Sequence, residues 1–211
     1  MSTNRDSDTA PAPLRVGLTG GAGAGKSELA RHLAEHGITV IDSDQLAREV
    51  VRPGQPGLQR LVDRLGSGIL DASGGLDREA LRERMLHDPR LRNTVEECLH
   101  PPILERMEAR IASVDSPYVV VEVPLLVESG LEDRFDRIVT VEAPEEDRVR
   151  RLVERDRVDM AQAERLIGVQ ATESERVAAA DHVVRNMGDI EALEQAALKL
   201  HDELTTLANK G

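Results

Sequence analysis

The sequence predicts an α/β fold built on a mostly parallel sheet, and three observations support this prediction. Short β-rich runs alternate with helical patterns along most of the 211 residues, as they do where crossover helices join parallel strands. A glycine-rich segment directly follows the first apolar run. Some seventy residues between the second and third strand patterns have helical periodicity and no convincing strand, which indicates an inserted helical subdomain.

The first regular elements are a strand, a turn and a helix. The strand is predicted at residues 14–19, and the helix begins near Lys26 with Leu29 and Leu33 on one face. Gly37 is placed to end this helix before a second strand. The further strands are predicted at residues 38–41, 118–123, 137–141 and 182–185, and the further helices at 58–65, 78–85, 103–111, 145–155 and 190–207. This order predicts a sheet covered by helices on both faces.

The segment from Gly20 to Ser27 has the Gly-x-x-x-x-Gly-Lys-Ser pattern of a phosphate-binding loop. Its glycines allow positive φ values, so backbone N–H groups can surround phosphate oxygens at the positive end of the helix dipole. Lys26 is expected to reach the β- and γ-phosphates of a nucleotide, and the Ser27 hydroxyl to bind Mg²⁺. The expected nucleotide-binding residues are Gly21, Ala22, Gly23, Ala24, Gly25, Lys26, Ser27 and Glu28, the last through its backbone N–H.

The charge composition limits the partners of this protein. A net charge of −12 and a pI near 5.0 argue against a general nucleic-acid binder, which needs a basic face. Anionic substrates must therefore be attracted by local clusters. Only three of the 27 basic residues are lysine, and Lys26 is one of them. A compact ammonium suits a point contact between phosphates better than a planar guanidinium, which favours a functional loop.

The composition also predicts a reducing compartment and no membrane partner. A single cysteine, Cys98, excludes an intrachain disulfide and a zinc site built from cysteines. No apolar run approaches the roughly 18 residues that span a bilayer. Residues 1–13 are polar, end in Ala-Pro-Ala-Pro and lack the apolar segment of a signal peptide, so we expect a disordered tail and a cytoplasmic protein.

Two acids, Asp42 and Asp44, follow the second strand at its carboxyl end, where ligands bind in open α/β sheets. Alternation along a strand would point both carboxylates the same way. One could accept a proton from an attacking hydroxyl while the other holds water on Mg²⁺. The alternative is that Asp44 caps the helix that follows, which would not exclude catalysis.

A concentration of arginines follows the fourth strand. On a helix, Arg148, Arg151 and Arg155 share one face at spacings of three and four. Guanidinium groups that close from a lid would neutralise the transferring phosphoryl group and exclude water. The alternative is a solvated face that pairs with neighbours such as Glu145 and Glu146.

Taken together, these motifs resemble the dephospho-coenzyme A kinase family from about residue 14 to residue 188. The phosphate loop is shared by many families, whereas the segments around Asp44 and Pro124 are more specific to this one. The resemblance rests on Gly-Leu-Thr-Gly-Gly-Ala-Gly-Ala-Gly-Lys-Ser at 17–27, Asp-Ser-Asp-Gln-Leu-Ala-Arg-Glu-Val-Val-Arg-Pro-Gly at 42–54, Leu-His-Pro at 99–101, Val-Pro-Leu-Leu-Val-Glu at 123–128 and Ala-Asp-His-Val-Val-Arg-Asn at 180–186.

This resemblance implies transfer of the γ-phosphate of ATP to the 3′-hydroxyl of the dephospho-coenzyme A ribose, with ATP and Mg²⁺ required. It also implies a P-loop kinase fold: a five-stranded parallel sheet flanked by helices, an inserted helical coenzyme-binding subdomain and a small lid. The single kinase domain would span residues 14–211. Its core would comprise 14–45, 117–145 and 180–211, its helical subdomain about 46–116 and its lid about 146–179.

The resemblance also implies roles for individual residues. Lys26, Asp44 and Arg151 would be catalytic, with Asp44 as general base and, with Ser27, a Mg²⁺ ligand. His100 is equally compatible with a structural histidine and with a substrate contact. The implied substrate-binding residues are Thr19, Asp44, Arg48, His100, Pro124 and Leu125.

Three other functions stay open on sequence grounds. Another small-molecule kinase, for example of shikimate or gluconate, shares a strand-end Asp-x-Asp beside a phosphate loop, although the long helical insertion favours a larger acceptor. A nucleotide-switched regulator is disfavoured because no Asn-Lys-x-Asp guanine signature is present. A module that binds nucleotide without turnover is the third alternative.

Overall fold

The computed structural model describes residues 12–210 and has a five-stranded parallel sheet at its centre. The strands are β1 (Leu14–Gly20), β2 (Thr39–Asp42), β3 (Tyr118–Glu122), β4 (Arg137–Glu142) and β5 (His182–Arg185). Their order across the sheet is β2-β3-β1-β4-β5. The predicted α/β class, the parallel sheet and all five strand positions are confirmed. The expected tail lies outside the described residues, apart from residues 12 and 13.

Helices occur along the whole described part of the chain, between the strands and after the last one. They are α1 (Lys26–Glu35), α2 (Ser43–Glu49), α3 (Pro56–Leu65), α4 (Arg78–His87), α5 (Pro89–Ile111), α6 (Glu145–Asp156), α7 (Met160–Gly168), α8 (Glu173–Ala179) and α9 (Ile190–Ala208). Helix α5 is longer than predicted, because it continues through Pro101 and Pro102. Within the described residues, no helix is long and apolar enough to cross a membrane.

Apolar side chains cover both faces of the sheet. Leu29 and Leu33 of α1 and Leu204 of α9 pack on one face, against strand residues such as Val16 and Val120. The opposite face packs against α2 and the end of α5 through Ile41, Leu46, Met107, Ile111, Val119, Val121 and Ile138. With both faces covered, the carboxyl ends of the strands form the open edge at which polar side chains can meet.

A third apolar cluster lies away from the sheet, among α3, α4 and α5. It is built from Val50, Val51, Leu58, Leu61, Ile69, Leu81, Leu91 and Val95. This cluster has its own buried residues, so the helical segment between β2 and β3 stabilises itself in part independently of the sheet.

Candidate active site

The loop between β1 and α1 has the backbone geometry that its glycines allow. Gly23 and Gly25 have φ values of 75° and 105°, in the left-handed region that other residues rarely adopt. A Cβ at Gly23 would lie 2.6 Å from the carbonyl oxygen of Arg148. Glycine is therefore required here both by conformation and by the close approach of α6.

Several N–H groups of this loop are available to an anion. Those of Gly23, Gly25, Lys26 and Ser27 have no partner within residues 12–210. The N–H of Glu28 was expected to face the nucleotide, but it donates to the Gly25 carbonyl at 3.1 Å. This bond closes the first turn of α1, and Glu28 still lines the cleft described below, so its contact with the nucleotide stays a proposal. The carboxylate of Glu28 pairs with Arg31 at 2.5 Å.

Lys26 points back across the loop. Its Nζ donates to the carbonyls of Gly20 at 2.9 Å and of Gly21 at 3.2 Å. Burial lowers the pKa of Lys26, the Glu122 carboxylate opposes that shift, and nearby guanidinium groups add to it. Lys26 is thus a cation in a site that is already rich in positive charge, and an anion there would relieve the repulsion.

The Ser27 hydroxyl donates to Glu122 Oε1 at 3.0 Å. Glu122 is the last residue of β3, so the carboxylate stands at the carboxyl edge of the sheet beside the loop. Burial is the main cause that raises the pKa of Glu122, while the Ser27 bond and Lys26 oppose the rise. A hydroxyl and a carboxylate at this distance provide two oxygen donors for a hard cation.

The two acids after β2 have different positions from those expected. Strand β2 ends at Asp42, whose Oδ1 accepts from the N–H groups of Asp44 at 2.8 Å and Gln45 at 3.2 Å. Asp42 is therefore the N-cap of α2, and both the same-face arrangement and the alternative that Asp44 is the cap are wrong. Asp44 lies in the first turn of α2, and its carboxylate has no hydrogen-bond partner in the described residues.

The pKa of Asp44 is raised above the usual aspartate value. Enclosure in the cleft is the largest cause, and the negative charge of Asp42 adds to it. Arg48, one helical turn further along α2, and Lys26 pull the pKa in the opposite direction. Asp44 is thereby a better proton acceptor than an aspartate with the usual pKa.

These groups open into one cleft of about 750 Å³, which we call the loop cleft. It contains most of the expected nucleotide residues, together with Asp44, Pro124 and Arg151. It also contains Glu122 and Gln170, to which the sequence assigned no role. The lining residues are Ala22, Gly23, Gly25, Lys26, Ser27, Glu28, Asp44, Glu122, Pro124, Arg151, Glu154, Arg155 and Gln170.

The arginines of α6 hold the outer side of the phosphate loop. Arg151 Nη1 donates to the carbonyls of Gly23 at 3.1 Å and Ala24 at 3.3 Å. Arg148 is buried and donates from Nε to the Ala22 carbonyl at 3.0 Å. Both side chains face the loop, so a purely solvated arginine face is excluded for them. Their bonds hold the carbonyls of Ala22, Gly23 and Ala24 in place.

Asn186, which follows β5, completes this support. Its Nδ2 donates to the Ala24 carbonyl at 2.8 Å, and its Oδ1 accepts from Arg151 at 3.4 Å. Sequence reasoning had not given Asn186 a role of its own. Asn186 could have been identified from its position, because it is a polar residue directly after a strand of the parallel sheet. The same criterion identified Asp42.

Four of the expected substrate residues lie outside the loop cleft. Thr19 is completely buried in β1. Arg48 is exposed on α2, and His100 is exposed on α5. Leu125 is 47% exposed beside Pro124, which does line the cleft. The structure thus brings together most of the nucleotide residues, Asp44 and Pro124 in the loop cleft, and these four do not line it.

A phosphate loop at the end of β1, a carboxylate beside it and arginines on a flanking helix define a P-loop phosphotransferase. The dephospho-CoA kinase family model matches residues 14–192. The chain therefore belongs to the dephospho-CoA kinase family, as its motifs predicted, and it is a kinase.

Curated relatives agree with this assignment. The dephospho-CoA kinase of Shewanella oneidensis is 40% identical over 193 residues, covering 92% of this chain and 94% of its own length. That of Escherichia coli K12 is 40% identical over 195 residues, covering 92% and 95%. The match therefore extends over nearly the whole of both chains.

Solved structures agree with the fold. A protein from Thermus thermophilus superposes with a TM-score of 0.79 at 32% identity, covering 91% of this chain and 98% of its own. Dephospho-CoA kinase from Campylobacter jejuni has a TM-score of 0.69 at 21% identity, with coverage of 91% and 97%. A shikimate kinase from Acinetobacter baumannii has a TM-score of 0.51 at 18% identity, with coverage of 94% and 95%. The last two likenesses concern the fold alone.

Proposed function

We propose that this protein transfers the γ-phosphate of ATP to the 3′-hydroxyl of the ribose of dephospho-coenzyme A, forming coenzyme A and ADP. Family membership supports the reaction class and the substrate. The observation that carries the assignment of residues is the loop cleft, in which the phosphate loop, Asp44 and Arg151 share one space. This is the set of groups that phosphoryl transfer needs.

In this proposal the phosphate loop binds the β- and γ-phosphates. The unpaired N–H groups of Gly23, Gly25 and Ser27 surround the anion, and Lys26 exchanges its two carbonyl partners for phosphate oxygens. Arg151 keeps the carbonyl side of the loop fixed and adds positive charge at the cleft wall. Preorganised charge of this kind stabilises the transition state more than the ground state.

Asp44 is proposed as the general base. Its carboxylate lines the cleft without a hydrogen-bond partner in the described residues, so it can accept the proton of an attacking hydroxyl. Its raised pKa favours that step relative to an aspartate with the usual pKa. The new oxygen–phosphorus bond forms as the bond from the γ-phosphorus to the ADP oxygen breaks.

The donor set also fits Mg²⁺. Ser27 and Glu122 supply oxygens, and Asp44 lines the same cleft. Within residues 12–210 there is no group of three or more histidine, cysteine or acidic side chains that could hold a metal. Mg²⁺ keeps several waters and is bound through one or two carboxylates together with substrate phosphates. When bound, Mg²⁺ would neutralise charge on the phosphates. Glu122 thus joins Ser27 and Asp44 as a proposed ligand.

The helical segment about 46–116 is proposed as the acceptor-binding subdomain, and residues about 146–179 as the lid. The separate apolar cluster of α3, α4 and α5 supports the first assignment. The second is supported by α6, whose arginines reach the phosphate loop from outside the sheet. Arg48 on α2 and His100 on α5 stay proposals as acceptor contacts, as do Thr19 and Leu125.

The pH dependence should reveal the influence of Asp42 on Asp44. Activity falls as pH drops through the pKa of the base, and a raised pKa moves that loss to higher pH. Asp42→Asn removes the like charge while asparagine still caps α2. We therefore expect the acidic limb of the kcat/KM profile to move to lower pH in this variant. An acidic limb that moves to higher pH, or does not move, would contradict the assignment.

Arg151→Ala is expected to lower turnover more than acceptor binding. The variant loses a cation at the cleft wall and the bonds that hold Gly23 and Ala24. We expect kcat to fall about a hundredfold or more, while KM for dephospho-coenzyme A changes little. Arg150→Ala is the matched control, because Arg150 lies on the same helix and pairs with Asp147 at the surface. Unchanged turnover in Arg151→Ala would remove this residue from the catalytic set.

The function itself is tested by measuring ADP formation from Mg·ATP by the purified protein. Dephospho-coenzyme A, shikimate, gluconate, adenosine and no acceptor are compared side by side. We expect only dephospho-coenzyme A to stimulate turnover, with coenzyme A as the product. Stimulation by shikimate or gluconate instead would replace the proposed substrate, and no stimulation by any acceptor would leave a nucleotide-binding protein without this activity.

A further inference from the structure

Gln170, between α7 and α8, makes a contact that the proposed mechanism has not used. Its Oε1 accepts a hydrogen bond from the backbone N–H of Ala22 in the phosphate loop at 2.7 Å, across 148 residues of chain. A backbone N–H can only donate, so the amide atom that faces it must be the oxygen. This fixes the orientation of the amide and leaves Nε2 as its free end.

Gln170 is part of the wall of the loop cleft. Gln170 lines this cleft together with Lys26, Arg151 and Arg155, and its Nε2 donates to no group within residues 12–210. An amide nitrogen carries two N–H donors. Gln170 therefore brings an amide with unsatisfied donors to the wall of the space in which the nucleotide phosphates are proposed to bind.

The backbone at Gln170 is held from two sides. The next residue, Ala171, donates its N–H to Glu128 Oε1 at 2.7 Å, and its carbonyl accepts from the Arg176 guanidinium. Arg176 is in turn paired with Glu142 at 2.5 Å, and the two side chains are only 2% and 1% exposed. The backbone that carries the amide is thus held by a buried ion pair, and the amide itself is held by its bond to Ala22.

The charge of the site explains why an amide suits this position. Arg148, Arg155 and Arg176 already act on Lys26 from nearby, and each lowers the pKa of Lys26. Another cation would increase that repulsion in the free protein, whereas a carboxylate would repel the phosphates. A side-chain amide accepts from Ala22 and donates to an anion while it remains neutral.

From this arrangement we infer that Gln170 is a nucleotide-binding residue of the lid, whose Nε2 donates to the phosphate oxygens of the nucleoside triphosphate while Oε1 holds Ala22. The inference rests on the proposed function for the location of the phosphates. It adds a neutral contact to the charged ones from Lys26 and Arg151.

Two variants and one control test this role by calorimetric titration with Mg·ATP in the absence of acceptor. Gln170→Met keeps the length of the side chain and removes both the bond to Ala22 and the proposed bond to phosphate. Gln170→Glu keeps an acceptor for Ala22 and replaces the donor with a negative charge. Gln162→Glu is the matched control, because Gln162 Oε1 accepts a backbone N–H in the capping box of α7 and glutamate can do the same.

We expect Kd for Mg·ATP to rise about tenfold in Gln170→Met and further in Gln170→Glu, as for loss of a hydrogen bond to a charged group. The control should bind as the wild type does, and KM for dephospho-coenzyme A should stay within twofold in all three. An affinity within twofold of wild type in Gln170→Met would overturn the inference. So would tighter binding by Gln170→Glu than by Gln170→Met, because the bond to Ala22 alone would then account for the effect.

A fall in melting temperature with an equal loss of ATP and acceptor affinity would also overturn it, in favour of a purely structural contact. The titration is independent of turnover. A wild-type protein that binds Mg·ATP but does not phosphorylate dephospho-coenzyme A would therefore refute the proposed function and leave the role of Gln170 measurable.

Discussion

Lys26→Ala is expected to lower kcat/KM for Mg·ATP by a factor that corresponds to about 3 kcal/mol or more of transition-state stabilisation. Lys26 is the cation of the phosphate loop, and its Nζ lies within 2.9 Å of the Gly20 carbonyl and 3.2 Å of the Gly21 carbonyl. A short side chain cannot replace that charge at the β- and γ-phosphates. Steady-state kinetics with varied Mg·ATP measure the effect.

Two controls separate this effect from loss of charge in general. Lys199→Ala removes one of the other lysines, on the exposed face of α9, where the side chain is 81% exposed. It should leave kcat/KM unchanged. Lys26→Arg keeps the charge but replaces the compact ammonium by a larger, planar guanidinium. We expect this variant to have only part of the wild-type activity. Full activity in Lys26→Ala would refute the assignment of the phosphate loop.

The sheet could be predicted because its strands are short apolar runs between clear turns. Strand β3, from Tyr118 to Glu122, is an example, since the three valines between these ends are all buried. Helices α7 and α8 were not predicted individually, because they have only nine and seven residues, too few for periodicity to be informative. Both begin with a capping box, at Asp159 and Thr172, which is visible as a local pattern and could have located them.

The site could be predicted only where local motifs define it. The phosphate loop is a continuous pattern, so Lys26 and Ser27 were identified directly. The bonds of Asn186 and Gln170 to the loop span 162 and 148 residues, and no local spacing contains them. Asp42 and Asp44 were recognised as a pair, but their roles depend on whether α2 begins before or after Asp44, and a shift of about two residues is typical for a helix start read from sequence.

Asp44→Asn is expected to reduce kcat about a hundredfold to ten-thousandfold, the range that general-base catalysis contributes, while Kd for Mg·ATP at saturating Mg²⁺ stays the same or decreases. Asparagine is nearly the same size and cannot accept the proton of the acceptor hydroxyl. It also removes a negative charge from the wall of the loop cleft. A protein that only binds nucleotide would be indifferent to the change. Quench-flow turnover and calorimetric ATP binding measure the two quantities separately.

Asp42→Asn is the matched control, because it makes the same chemical change two residues away and preserves the cap of α2. Its kcat at neutral pH should remain within a few-fold of wild type. Mg²⁺ then distinguishes the two proposed roles of Asp44, since excess Mg²⁺ would restore turnover to a variant that lacks only a metal ligand but not to one that lacks the base. Wild-type turnover in Asp44→Asn would refute the assignment of Asp44 as the general base, and the other carboxylates that line the cleft, Glu28, Glu122 and Glu154, would be the next to test.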